Sequence, residues 1–466
     1  MMRFTIVTSL GLFALQVLAA PAPQAPAQTS KKASLAEVLM GERVDALMER
    51  TGEKLVEILR TYPASERSQQ MSDFAAKILN RKVADPPGAV SRRQVLPSRS
   101  KVPGAQTIKI RYGPYNVPSM SNKNVVGQGG GIFNYPESNV EKPCEACTIV
   151  GLQAGLEFPD GTEAPISKGM WLHHIVLFNE GPGRQDVTCK DRDLSLPHVA
   201  ANLLATNSER IWASGNERTV IHFDKFANDK VGYKVKKEDK FTYNVDLMND
   251  SMDKDVVVYV TTTYDIIPES PKNWDEAVPV WLDITNCLTS EFAPTAQNGT
   301  FTRTATWTSN LDGEIMDLMS HLHDGGVSLV LKADGQTICD SSANYGETPE
   351  YINAPTAMKI PGSAEKHISS QTTCDPAKMK TRQMKKGQKW EITANYDFDK
   401  FKPMLDQGGE MEPVMGLSLM ETTAGLADMN SARYASAGTG KLKEEQTSKN
   451  KVPANPPGFF PSKSLW

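Results

Sequence analysis

From about residue 105 the chain is a succession of short apolar, β-branched runs cut by Gly, Pro, Asn and Asp. They read TIKIRYG, CTIVGLQAGLEF, WLHHIVLF, DKFTYNVDLM, DVVVYVTTTYDII, VPVWLDITN, GVSLVLKADG and KWEITANYDF. Val, Ile, Thr and aromatic side chains suit a pleated, half-buried surface, and runs of this length suit strands better than helices. Repeated at this spacing, they predict an all-β chain of antiparallel sandwiches. At 466 residues the chain is too long for one core. The Pro-rich stretch IIPESPKNWDEAVP interrupts the strands around Pro268. The expected organisation is two tandem β-sandwich domains, 105–268 and 269–425, preceded by a short helical segment.

The N-terminal part has a different texture. Arg3 followed by FTIVTSLGLFALQVLA and Ala19-Ala20 reads as a cleaved secretory signal over residues 1–20. Residues 21–104 read as a Pro/Ala linker and a helical propeptide. Leu35, Val38, Leu39, Leu47, Leu55, Ile58 and Leu59 recur at helical spacing, and Ser34 with Glu37 forms a capping box. A second helix is expected over MSDFAAKILN. Arg92-Arg93, after Pro86-Pro87-Gly88, is either a convertase site that would release a chain starting at Gln94 or a solvated basic turn. The Ser/Lys/Pro-rich tail, 426–466, is expected to be partly disordered.

A net charge of −4 without a basic stripe argues against nucleic acid as a partner. No segment after the signal is apolar enough for a membrane anchor. Six cysteines, an even count, suit disulfides in a secreted chain. Cys144 and Cys147 form a C-x-x-C, which could also be a metal half-site or a redox pair. Asn249-Asp-Ser and Asn298-Gly-Thr are acceptor sequons for N-glycans.

The histidines carry the chemistry. His173 and His174 lie side by side within GMWLHHIVLFNEG, an otherwise apolar strand. Burying an imidazole without a partner costs free energy, so the pair either satisfies itself by hydrogen bonds or holds a metal. His321 and His323 form an H-x-H, which on a strand places both rings on one face. Zinc and iron sites of the cupin type also use H-x-H, although Val327 stands where a cupin usually has its Glu. Met411, Met415 and Met420 lie late in the second domain. A thioether is a soft ligand for Cu(I), though a strand Met is more often core filler.

The adjacent pair in HHIVLF, the H-x-H in SHLHDGG and a Met shortly after a Gly-Gly together resemble the copper type II, ascorbate-dependent monooxygenases. That family includes peptidylglycine α-hydroxylating monooxygenase and dopamine β-monooxygenase. The resemblance covers roughly residues 105 to 425. It implies two jelly-roll domains, each with one copper, separated by a solvent-filled cleft. His173 and His174 match the electron-supplying copper. His321, His323 and Met415, six residues after Gly409, match the copper that binds oxygen and acts on substrate. Ascorbate is the implied reductant. The family's disulfides imply Cys147–Cys189. Cys339–Cys374 follows from a shared domain, and Cys144–Cys287 is left over.

The chain departs from the family at two places. The third histidine of the first copper is absent; Asp246 occupies its place, and His222 is the nearest alternative ligand, so the expected cofactor is one or two copper ions. Both neighbouring histidines can reach one ion only if the strand twists or bulges, or if they use different ring nitrogens, because adjacent strand residues face opposite ways. The residues that hold a peptide substrate in amidating members are here Met319, Leu417 and Leu419. The expected substrate is therefore a neutral or apolar organic molecule or polymer, used with O2. Two other readings stand beside this one: a peptide-N-glycanase-like hydrolase on the same fold, and a non-catalytic copper- or glycan-binding sandwich.

Overall fold

A computed structural model describes residues 81–424 apart from 124–128, 190–206, 224–229 and a few isolated positions, together with Gln69 and Ser72. The signal, the two helical segments and the C-terminal tail lie outside the described residues.

The first half contributes β1 (Arg93–Leu96), β2 (Gln106–Val117), β3 (Gly131–Val140), β4 (Cys147–Glu157), β5 (Met170–Glu180), β6 (Ser208–Gly215), β7 (Ile221–His222), β8 (Val231–Val235), β9 (Lys240–Asn249) and β10 (Val256–Ile267). The second contributes β11 (Asp275–Asp283), β12 (Glu291–Phe292), β13 (Thr300–Thr308), β14 (Gly313–Leu322), β15 (Gly326–Ala333), β16 (Gln336–Tyr345), β17 (Ile368–Gln371), β18 (Gln383–Met384), β19 (Lys389–Asp397) and β20 (Val414–Ala424). The described residues are nearly all β, and nearly every strand pairing is antiparallel.

The strands β3-β9-β5-β6 form one sheet and β13-β19-β15-β16-β17 another. A long sheet, β1-β2-β10-β4-β8-β11-β20-β14-β18, runs through both halves. It crosses between them at β8 and β11, which pair in parallel over Val231–Asp275 and Gly232–Glu276.

The second half of that sheet, β11-β20-β14, is buried on both faces. Val278, Val280, Leu282, Leu318 and Met420 join the second core. Ala277, Trp281, Met319, Met415, Leu417 and Leu419 join the first. A strand buried on both faces loses the polar alternation of a half-solvated one, and EIMDLMSHL shows that loss. The consequence for function is direct. His321 shares the face of Met319, so it points at the first half of the chain.

Two further links hold the halves together. Arg184 is buried and reaches Asp239 and Glu209 of the first half, at 3.0 Å for Glu209, and Glu276 of β11 at 3.3 Å. Cys189, after β5, is bonded to Cys287, after β11.

Several expectations are corrected here. The disulfides are Cys144–Cys147, Cys189–Cys287 and Cys339–Cys374. The pairings Cys147–Cys189 and Cys144–Cys287 are therefore overturned: Cys147 opens β4 and turns back onto its own loop, while Cys189 faces the second half. Asn249 cannot carry a glycan in the folded chain. It is 1 % exposed, and its amide donates to Val117 O and Lys254 O. Asn298 is exposed. Arg92-Arg93 is not in a free linker, and the first sandwich begins before residue 105. Arg93 opens β1, which pairs along β2, and it binds Glu141, while Arg92 grips Asp85 with two nitrogens. Strand pairing holds the backbone that a protease would need to extract.

Candidate metal centre

The two histidine pairs meet. His173 and His323 have ring centroids 4.7 Å apart, His173 and His174 4.5 Å, His321 and His323 5.4 Å, and His174 and His321 6.4 Å. The four imidazoles form one cluster across the junction of the two halves. The solvent-filled cleft that the resemblance implies between the two pairs is not seen, because both faces of β14 and β20 are packed.

Local features of each strand produce this convergence. In the pairing of β5 with β9, Leu172 faces Leu247 and His174 faces Asp246, so His173 is the extra residue of a β-bulge. A bulge re-aims a side chain, and here it turns two neighbours toward one point. His323 lies just past β14, at the start of the His323-Asp324-Gly325-Gly326 turn closed by Gly326 N–H to His323 O at 3.1 Å. Gly325 has φ +90°, which a type II turn demands at that position and glycine supplies without strain.

Each histidine has an anchor on one nitrogen. His321 Nδ1 is 3.0 Å from Glu217 Oε1, His323 Nδ1 is 2.8 Å from Pro413 O, and His173 Nδ1 is 3.0 Å from the Met248 sulfur. The Nε2 atoms of these three rings are buried without a hydrogen-bond partner. A buried, unpartnered polar atom is costly. An anchored imidazole with an open second nitrogen is the arrangement metal-binding histidines adopt. Among the described residues, His173, His174, Glu291 and His323 can each bring one ligand atom to within 4.8 Å of the others. His321 stands beside that group with its Nε2 open.

His174 differs. Its Nδ1 is 2.9 Å from Asp246 Oδ2 and its Nε2 is 3.4 Å from Glu291 Oε1. Burial disfavours its charge, but the two carboxylates outweigh burial and hold it up at about 10. Burial pushes His173 well below the usual histidine range, helped by its imidazole neighbours. Burial, with His321 beside it, also lowers His323 to about 4. His173 and His323 are therefore neutral near pH 7, the form that offers a lone pair to a metal. Burial would raise the Glu217 carboxyl, but the adjacent His321 holds it below its ordinary value.

The other expected ligands are placed as follows. Asp246 lies behind His174 and also accepts from Asn134 N–H at 2.6 Å. His222 is on β7 against Gly151, with its backbone N–H on Asp317, and does not belong to the metal-capable group. Met415 is 2 % exposed and pairs across the sheet with Glu291. With His174 and His321 it lines a small apolar void that also touches Met319 and Leu417. Met411 and Met420 belong to the second core.

Glu217, Glu291 and Met248 were not singled out in the sequence. Glu291 sits in a two-residue strand and Glu217 in a turn after β6, so neither has a periodicity to mark it. A cleft of about 40 Å³ leads to His173, His321 and His323 between Trp171, His367, Leu322, Ile368 and Val414. His367 has both ring nitrogens occupied, by Asp324 at 2.6 Å and Asn353 at 2.7 Å, and so serves as wall rather than ligand.

Gly215, the last residue of β6, lets His321 lie close. A Cβ there would stand 2.6 Å from the His321 ring and 2.9 Å from both Glu217 Oε2 and His173 O. We expect Gly215→Ala to displace the His321–Glu217 pair and weaken metal binding about 10–100-fold, as loss of an anchoring partner does. Metal titration against wild type checks it.

Comparison with known proteins agrees with a metal site. The model of the family described as "Stress up-regulated Nod 19" matches residues 230–407. "Probable copper-dependent oxygenase M1" of Phoma sp. (strain ATCC 20986 / MF5453) is 29 % identical over 324 residues, covering 69 % of this chain and 74 % of that protein. "Probable copper-dependent oxygenase clz3" of Cochliobolus lunatus is 31 % identical over 277 residues, covering 59 % of this chain and 79 % of that protein. The chain belongs to the family of these probable copper-dependent oxygenases. A solved structure titled "Structure of PNGF-II in C2 space group" aligns with 73 % of this chain and 64 % of its own at 12 % identity. Its TM-score is 0.28.

Proposed function

We propose that this protein is a secreted copper-dependent oxygenase with one copper site at the junction of its two halves. The observation that carries this reading is the set of buried, open Nε2 atoms on His173, His321 and His323, each ring anchored through its other side. All-nitrogen donors suit copper, although imidazole also suits zinc and iron; the names of the two relatives favour copper. Copper bound there would supply the one-electron chemistry that dioxygen requires.

The chain's own groups have distinct tasks. His173 and His323 would hold the ion through Nε2, with the open Nε2 of His321 beside them. Glu217 and Pro413 O fix the ring orientations. His174, between Asp246 and Glu291, holds a proton at Nε2 within reach of the site. Met415 lines the void beside His174 and His321, where its soft sulfur would favour a reduced metal. Three disulfides fit an oxidising compartment, and no described helix is long and apolar enough to cross a membrane.

The resemblance to the ascorbate-dependent monooxygenases bears on the reaction class rather than on a two-copper layout. Hydroxylation, R–H + O2 + 2 e⁻ + 2 H⁺ to R–OH + H2O, takes two electrons from a reductant such as ascorbate. Trp171, Leu322, Ile368, Met404 and Val414 give the cleft an apolar part and Glu217, Asp324 and Glu412 an acidic one, which suits a neutral organic substrate better than an anion. The hydrolase reading is disfavoured because Glu217, Asp246 and Glu291 all lie against histidines.

The test is oxygen uptake by copper-loaded protein with ascorbate. Uptake that requires both copper and reductant supports the reading. Uptake unchanged by a copper chelator, or absent in fully loaded protein, contradicts it.

A further inference from the structure

We propose that the Cys144–Cys147 disulfide is a thiol-exchange site that takes low-molecular-weight thiols, separate from the histidine cluster. It closes a loop with a sequence separation of 3, against 35 and 98 for the other two bonds. A short loop removes little entropy from the open chain, so such a bond is the least supported by the chain around it. The two sulfurs are also placed differently. Cys147 is 0 % exposed at the start of β4, while Cys144 is partly exposed.

Cys144 lines an open groove of about 450 Å³, walled by Ile108, Pro143, Ile266 and Pro268 and edged by Arg93 and by the Lys237–Glu145 ion pair. That volume lies within the range of small-molecule sites. Cys189 and Cys287 are 6 % and 3 % exposed and packed into the junction, where Arg210 donates to the Cys189 sulfur. A thiolate has a path to Cys144 that it lacks to the junction disulfide. Access of the attacking thiolate is a main control on exchange.

The exchange balances as two displacements. A thiolate RS⁻ attacks Cys144 Sγ, forming RS–S–Cys144 and releasing Cys147 as the thiol after proton uptake. A second RSH displaces Cys144, giving RSSR and the reduced pair. The protein gains two electrons and two protons from two thiols.

The test uses the full-length folded protein and reduced glutathione as the probe. After a short exposure, free thiols are alkylated and every cysteine peptide is quantified. We expect Cys144 and Cys147 to be labelled at least about tenfold more than the buried Cys189 and Cys287, and before Cys339 and Cys374. Labelling of Cys339 and Cys374 first, equal labelling of all six, or no labelling overturns the proposal. Oxidised glutathione offered to single variants fixes the attacked sulfur. Cys147→Ser should gain one glutathione at Cys144 by intact mass, and Cys144→Ser should gain none. The reverse pattern also overturns the assignment.

Discussion

His323→Ala should lose copper almost completely, with affinity falling by more than about 100-fold, the upper end for loss of a mere supporting partner. His323 combines three properties. It belongs to the group whose ligand atoms lie within 4.8 Å, its Nε2 is open and buried, and its Nδ1 is fixed by Pro413 O at 2.8 Å. Its neutral state near pH 7 means that no proton has to leave before a metal binds. His173→Ala should behave in the same way, and His321→Ala should cost less, because His321 stands beside that group and not in it. Glu217→Ala, which removes an anchor and leaves the three Nε2 atoms in place, should cost only about 10–100-fold. Copper titration of the four variants ranks them. A variant series in which Glu217→Ala is worse than His323→Ala would contradict the ligand assignment.

Arg184→Met should destabilise the folded protein by about 3–5 kcal/mol, because it removes a buried guanidinium from among three buried carboxylates. Arg184 side-chain exposure is 1 %, and its partners Asp239, Glu209 and Glu276 are 0 %, 2 % and 3 % exposed. No solvent is at hand to take over from the guanidinium. Glu276 lies on β11 and the other two belong to the first half, so the change also loosens the junction on which His173 and His323 meet. Denaturant unfolding of the metal-free protein measures the loss, and a change below about 1 kcal/mol would show that the network is not holding the halves.

Much of the fold was legible because the strands are apolar, β-branched runs bounded by turn residues. The histidines were legible for the converse reason: an imidazole inside WLHHIVLF or EIMDLMSHL is out of place unless it has a task. Their common destination was not. His173 turns toward the metal-capable group only through a bulge, and HH carries no mark of one. His321 faces the first half because β11-β20-β14 is packed on both faces, a property of the assembled cores. The two errors over cysteine came from carrying a pairing across a distant resemblance, where Cys147 bonds within its own loop and Cys189 reaches the second half. Asn249 shows a similar limit. Its sequon is intact, but the side chain closes a turn by bonding Val117 O and Lys254 O.

The account rests on one site formed jointly by both histidine pairs, and copper stoichiometry tests that most directly. Purified protein stripped of metal and titrated with copper should bind one tight equivalent per chain. That equivalent should disappear both in His173→Ala and in His323→Ala, since the two residues come from different halves. Two tight equivalents, of which each variant removes only one, would mean that the pairs hold separate ions and that the single junction site is wrong.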